Sequence, residues 1–109
     1  MPSMMAGLCC GEPCTLAWEI LQSYAQCFVM LEDSVDAEGM RLLAHPLGND
    51  AVLVSGESGA AGFSVFLAAM TRPELADLKE ALQLDAHSII ACISTEGDTD
   101  KVNYKRVVG

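Results

Sequence analysis

Two short polar stretches carry the residue types from which a site can be built. Ser55-Gly56-Glu57-Ser58-Gly59 sets hydroxyls and a carboxylate among glycines, and Ser94-Thr95-Glu96-Gly97-Asp98-Thr99-Asp100 adds further hydroxyls and acids. A hydroxyl both donates and accepts without carrying charge, and glycine lets the backbone approach a ligand closely. The first stretch has the outline of a nucleophile elbow, but G-E-S-G is one residue short of it. His87 precedes the last apolar run and stands at the wrong end of it for a catalytic base. Glycines ahead of a helix also offer N–H groups to a phosphate, yet neither G-x-G-x-x-G nor G-K-S/T occurs. Cys9-Cys10-x-x-x-Cys14 resembles half of a zinc site, while His45 and His87 are isolated, so no metal is expected. Plainer roles are open for each residue. Glu57 suits a helix N-terminus, Ser94 suits a backbone-satisfying loop serine, and Asp98 or Asp100 suits a helix cap.

The positioning elements follow from periodicity. Residues 1–14 read as a loop punctuated by Gly7, Gly11 and Pro13. Thr15 caps a helix whose Leu16, Ile20 and Tyr24 recur at helical spacing. Cys27 to Leu31 is a short strand candidate. Asp33 or Ser34 caps a second helix with Val35, Gly39-Met40 and Leu42-Leu43 on its apolar side, ended by Pro46, Gly48 and Asn49. Val52 to Ser55 reads as a second strand, and the small apolar residues from Ala60 to Met70 as a buried helix. Pro73 starts another helix running to Leu82. Ser88 to Ile93 reads as a third strand, and Asp98, Thr99 or Asp100 caps a final short helix through Tyr104 and Val107. This alternation predicts an α/β fold of three layers, a parallel sheet with helices on both faces. Ligands of such sheets lie beyond the carboxyl ends of the strands, where both polar stretches fall.

Bulk properties narrow the function classes. The 109 residues make one ordinary domain, and an apolar fraction of 51% is high for that length. It fits strands buried on both faces, or a surface that expects a neighbour. Fifteen acids against six bases leave a formal net charge of −9, which disfavours nucleic acid and anionic membranes alike. The longest apolar stretch, residues 59–70, is too short to span a bilayer, and the start lacks the basic region of a signal peptide. A cytoplasmic protein is expected. Five cysteines, an odd number, do not read as a disulfide framework, and Cys27 and Cys92 are expected to be buried as small apolar groups.

The two polar stretches also carry a resemblance. Gly56-Glu57-Ser58-Gly59-Ala60 resembles the E-P-A-G-A type motif of threonine dehydratase relatives, and Ile93 to Asp100 resembles the corresponding L-S-G-R-G-D-K-D stretch of the tryptophan synthase β chain. Both are fold type II pyridoxal-phosphate enzymes. Met4-Met5-Ala6-Gly7-Leu8, Cys10-Gly11-Glu12-Pro13, Leu16-Ala17-Trp18-Glu19-Ile20-Leu21, Ser55 to Ala60 and Ser94 to Asp100 with Asn103-Tyr104 together resemble the diaminopropionate ammonia-lyases, over essentially the whole chain. Pro13-Cys14-Thr15 departs from the more usual proline-asparagine-proline run.

The resemblance implies that residues 1–109 are a single C-terminal fragment of the catalytic fold, with the part that bears the catalytic lysine missing. The parent would use pyridoxal 5′-phosphate to convert 2,3-diaminopropionate to pyruvate and ammonia by α,β-elimination. It would bind a small amino-acid substrate, join the missing N-terminal part and form a homodimer. Ser94, or Thr95 beside it, would bond the ring nitrogen of the cofactor. Glu57 would lie near the ring, with Gly56 and Gly59 admitting the backbone. No residue of the fragment is expected to be catalytic, because Lys79, Lys101 and Lys105 fall in helical or tail positions, and the fragment alone is expected to be inactive. A serine or threonine dehydratase of the same fold is the alternative enzyme. A non-catalytic α/β interaction or regulatory module is the alternative outside enzymes.

Overall fold

The computed structural model describes residues 14–109. Its described elements are helices: α1 (Thr15–Tyr24), α2 (Asp33–Ala44), α3 (Ala61–Thr71), a 3-10 turn (Pro73–Leu75), α4 (Ala76–Ala81) and α5 (Lys101–Val108). The helices lie where periodicity pointed, but the caps of the first two do not: α1 begins at Thr15 after Cys14 and α2 at Asp33 after Glu32, and neither Cys14 nor Glu32 makes a side-chain capping bond. Proline opens the 3-10 turn at its first position, where its missing N–H forfeits nothing. Two residues past the end of α4, Gln83 takes the left-handed region at φ 55°, with the Leu84 N–H bonded to the Lys79 carbonyl. Of the caps proposed for α5, the Asp100 side chain accepts from the Asn103 N–H at 3.0 Å. No helix among the described residues is long and apolar enough to cross a membrane.

The three-layer α/β sheet is not found. Among the described residues there is no strand, and residues 27–31, 52–55 and 88–93 run without a ladder between them. The first backbone bond joining the two polar stretches comes after the apolar runs, from the Gly56 N–H to the Glu96 carbonyl at 3.0 Å. The physical reason lies in what β-branched apolar runs report. They tell which side chains favour burial on a pleated surface. A strand exists only when another backbone lies alongside and exchanges hydrogen bonds, and these three runs do not do so with one another. Their side chains are correspondingly uncovered: Ile89 is 98% exposed and Val52 67%. Cys27 and Cys92, expected in the core, are exposed thiols, as is Cys14. Cys9 and Cys10, and the motif residues from Met4 to Pro13, lie outside the described residues.

What core there is lies where α2 crosses α3. The apolar residues buried there and beside it are small, apart from Met40: Ala37, Ala60, Ala68 and Ala69. Small residues let the two helices approach closely. A methyl group on Gly39 would overlap the Ser64 side chain, so glycine at that point sets the approach. Arg72 at the end of α3 pairs with Glu38 of α2 at 2.6 Å. α5 packs on α2, and α4 on α3, while α1 packs on no other described helix. Trp18 of α1 meets Phe28 instead, with ring centroids 5.9 Å apart.

Candidate functional site

The segment between Val54 and α3 turns tightly at residues 57–60 and is buried almost throughout. Ser55, Gly56, Glu57, Gly59 and Ala60 are all removed from solvent. The Ala60 N–H closes the turn onto the Gly56 carbonyl at 2.9 Å. Against it lies the second polar stretch. Besides the Gly56 to Glu96 backbone bond, the Ser58 N–H donates to Glu96 Oε1 at 3.1 Å. The hydroxyls of Ser55 and Ser94 stand 2.7 Å apart. The two stretches that sequence alone marked out therefore do meet, held by backbone and hydroxyl bonds and not by a shared sheet.

Both glycines of the first stretch have a steric reason. A Cβ on Gly56 would overlap the Gly97 carbonyl oxygen, and one on Gly59 would sit 2.5 Å from the Glu96 carbonyl oxygen. Either clash is with backbone, so one of the two stretches would have to move. Glu57 faces the C-terminal helix, where Asn103 Nδ2 donates to its Oε1 and Arg106 in turn donates to Asn103 Oδ1. Neither reading made for Glu57, a helix-end carboxylate or a group near a ring, had supplied this partner.

The Ser55–Ser94 pair has one property that matters chemically. Two hydroxyls bring two hydrogens, and the bond between them uses one. When Ser55 donates to Ser94, the Ser94 hydrogen stays free for an acceptor outside this chain. A neutral ring nitrogen is such an acceptor. A cavity of about 330 Å³ adjoins the pair, lined by Leu43, Leu53, Val54, Ser55, Gly59, Phe63, Cys92 and Ser94. An apolar wall with one hydroxyl pair suits the flat face and single nitrogen of a pyridine ring. Ser58 Oγ is buried without a partner among the described residues, a second polar atom near the turn that a group beyond this chain can satisfy. The residues present thus fit a pyridine-type cofactor on the ring-nitrogen side. Thr95 is exposed beside Ser94. The three lysines lie on α4 and α5, with Lys101 and Lys105 exposed.

Sequence alone gave four residues no individual role in the site. Ser55 ends an apolar run and was legible as a loop residue, but its hydroxyl partner was not. Glu96 and Asn103 belong to polar segments where nothing in the spacing singles them out. Asp36 did leave a signal: it lies three and four residues before Gly39 and Met40, on the same helical face, so an acid stands in the apolar stripe of α2. It is fully buried, and burial pushes its carboxyl up to about 6, with Ser64 opposing and Glu57, Asp33 and Glu96 adding to the rise.

No family model matches the chain. Diaminopropionate ammonia-lyase of Escherichia coli K12 is 49% identical over 108 residues, covering 99% of this chain and 27% of the relative. The backbone superposes on a crystal structure of the Escherichia coli enzyme in complex with an aminoacrylate-PLP azomethine reaction intermediate at a TM-score of 0.92, with 48% identity, covering 99% of this chain and 28% of that one. A second structure of that enzyme, in complex with D-serine, matches at a TM-score of 0.89 and 50% identity over 95% of this chain and 27% of that one. The chain therefore spans about a quarter of the length of the proteins it matches. With 49% identity and a shared backbone along nearly all of its length, the chain belongs to the diaminopropionate ammonia-lyase family and corresponds to a C-terminal part of it.

Proposed function

We propose that the chain forms the ring-nitrogen side of the cofactor site in a pyridoxal-phosphate-dependent ammonia-lyase that converts 2,3-diaminopropionate to pyruvate and ammonia. The observation that carries the reading is the Ser55–Ser94 hydroxyl pair at 2.7 Å, set in a chain with 49% identity to that lyase of Escherichia coli. Residues 1–109 act as one part of the catalytic fold. The lysine that holds the cofactor and the glycines that hold its phosphate come, on the family resemblance, from the remaining part of the enzyme. Bound pyridoxal phosphate would withdraw electrons from the α carbon, allowing loss of its proton and then of the β-amino group.

The chain's own residues bind and orient. Ser94 donates to the ring nitrogen, and Ser55 holds the Ser94 oxygen in place. A hydroxyl donor leaves the nitrogen uncharged, where a carboxylate would keep it protonated. Thr95 is the neighbouring hydroxyl on the same stretch. Gly56 and Gly59 keep the turn close enough for its backbone to form one wall. Glu57, anchored by Asn103, holds that wall against α5. A small amino-acid substrate, a homodimeric parent and a cytoplasmic location complete the reading.

A hybrid enzyme tests it, made by replacing the matching C-terminal quarter of the Escherichia coli enzyme with this chain. The hybrid is expected to release pyruvate from 2,3-diaminopropionate, with twice as much ammonia as pyruvate. Serine is the comparison substrate, because one matched structure holds D-serine, and it would yield equal amounts. A folded, cofactor-loaded hybrid that turned over serine or threonine but not 2,3-diaminopropionate would make the dehydratase reading correct. One inert toward all three would leave a non-catalytic module.

A further inference from the structure

Ser64 sits at the crossing of α2 and α3 with a single hydrogen and three acceptors. The Ala60 carbonyl is 2.8 Å from its Oγ, Asp36 Oδ1 is 3.2 Å away and the Asp36 carbonyl 3.3 Å. All three residues are fully buried. A hydroxyl donates one hydrogen bond, and the shortest contact, one turn back along α3, takes it. The contact to Oδ1 then lacks a hydrogen unless Asp36 supplies one. The other carboxyl oxygen, Oδ2, is buried with no partner among the described residues. A carboxylate stripped of water and missing donors is a poor place for a charge. We propose that Asp36 holds a proton and donates it to Ser64 Oγ, and that this proton positions the Gly56–Ala60 turn of the site.

The coupling runs through a chain of contacts. Ser64 Oγ lies 3.2 Å from Asp36 Oδ1, where the proposed proton makes Asp36 the donor, and Ser64 donates to the Ala60 carbonyl, the Ala60 N–H to the Gly56 carbonyl and the Gly56 N–H to the Glu96 carbonyl. Loss of the proton reverses the first link. An ionised Asp36 is the stronger acceptor, draws the Ser64 hydrogen onto itself and takes the hydroxyl bond from the Ala60 carbonyl, which keeps only the Ser64 N–H at 2.9 Å. The charges around Asp36 favour the neutral form. Asp33 on its own helix, Glu57 in the turn and Glu96 in the facing stretch all act against ionisation. α3 brings no charged side chain. α5 packs on α2 and carries Lys101, Lys105 and Arg106, of which Arg106 is engaged by Asn103, while Arg41 of α2 donates to the Val107 carbonyl.

The direction with pH follows. The carboxyl is raised from 3.8 to about 6, so the folded turn binds this proton more tightly than the open chain does. Its contribution is complete below the lower value and is lost as pH rises through the upper one. The role of the turn as a cofactor wall rests on the function proposed above; the proton itself does not.

The experiment uses the full chain, ¹³C-labelled at aspartate carboxyls, titrated by NMR alongside Asp36→Asn. One resonance, absent from the variant, is expected to titrate near 6. Amide exchange at Gly56 and Ala60 is expected to rise with pH more steeply than base catalysis alone in the wild type. In Asp36→Asn, whose amide donates to Ser64 at every pH, it should follow base catalysis. Should Asp36→Asn fail to fold, Ser64→Ala serves, because it removes the contested hydrogen and is expected to abolish the extra steepness. Aspartates that all titrate in the ordinary range near 4, or exchange that is equally steep in wild type and both variants, would overturn the proposal. These readouts need no cofactor. An inert hybrid with a high-titrating Asp36 therefore refutes only the function, and an active hybrid with an ordinary Asp36 refutes only this inference.

Discussion

Gly59 and Gly62 lie three residues apart, and the structure assigns them opposite sensitivities. A Cβ at Gly59 would stand 2.5 Å from the Glu96 carbonyl oxygen and 2.7 Å from Ser55 Oγ, whereas at Gly62 nothing lies within 4 Å. Gly59→Ala must therefore push the turn away from the Ser94 stretch, and strain of this kind destabilises by about 1–3 kcal/mol. Gly62→Ala sits in α3 with open space around it and should stabilise by roughly 0.5–1 kcal/mol through the reduced freedom of the unfolded chain. Paired denaturant titrations check the signs, and equal effects at the two positions would mean that the two stretches do not touch as described. The resemblance had marked Gly59 as a place where backbone approaches a ring. The structure adds that it is first a place where backbone approaches backbone.

Among the elements, α5 is the clamp. It is short, and its cap is the Asp100 side chain. What holds it are bonds to other parts of the chain: Arg41 Nε to the Val107 carbonyl at 2.8 Å, His45 against the Val108 carbonyl at 3.3 Å, and Asn103 to Glu57. Asn103→Ala would leave a buried carboxylate oxygen without its donor, a loss of about 1–3 kcal/mol. The expected result is a lower denaturation midpoint together with faster amide exchange along α5. Unchanged exchange in α5 would show that the Arg41 and His45 contacts hold the helix without Asn103. Of this arrangement, the helix and its three candidate caps were legible in residues 98–104. Its docking was not, because Asn103, Arg41 and Glu57 are distant in sequence and only folding brings them together.

The whole molecule has more surface than its mass warrants. Its accessible area is 8013 Å², against about 5,800 Å² for a compact monomer of this mass. Its radius of gyration is 14.6 Å, against about 13 Å. Much of the excess is apolar: Met30, Ile89, Ile93 and Leu16 are all largely exposed. Surface of this kind associates. The isolated chain is expected to sediment as oligomers at micromolar concentration despite its net charge of −9, and added salt should increase the association by screening that charge. The hybrid enzyme, with the remaining three quarters restored, should lose this behaviour. A chain that stays monomeric at all concentrations and salts would show that these residues are better covered in solution.

By itself the sequence determined the local matters. Helix starts at Thr15 and near Asp33, the proline-led turn at Pro73 and the two polar stretches all depend on neighbours within a few residues, and a one-dimensional pattern records those. The family was determined too, since identity in motifs survives without coordinates. Only the tertiary structure decided which groups share a hydrogen. It put Ser55 against Ser94, Asn103 against Glu57 and Asp36 against Ser64, and it left residues 27–31, 52–55 and 88–93 unpaired with one another. The reason is the same in each case. A hydrogen bond, in a ladder or a site, is a relation between two groups, and an apolar or polar pattern specifies only what one of them would accept.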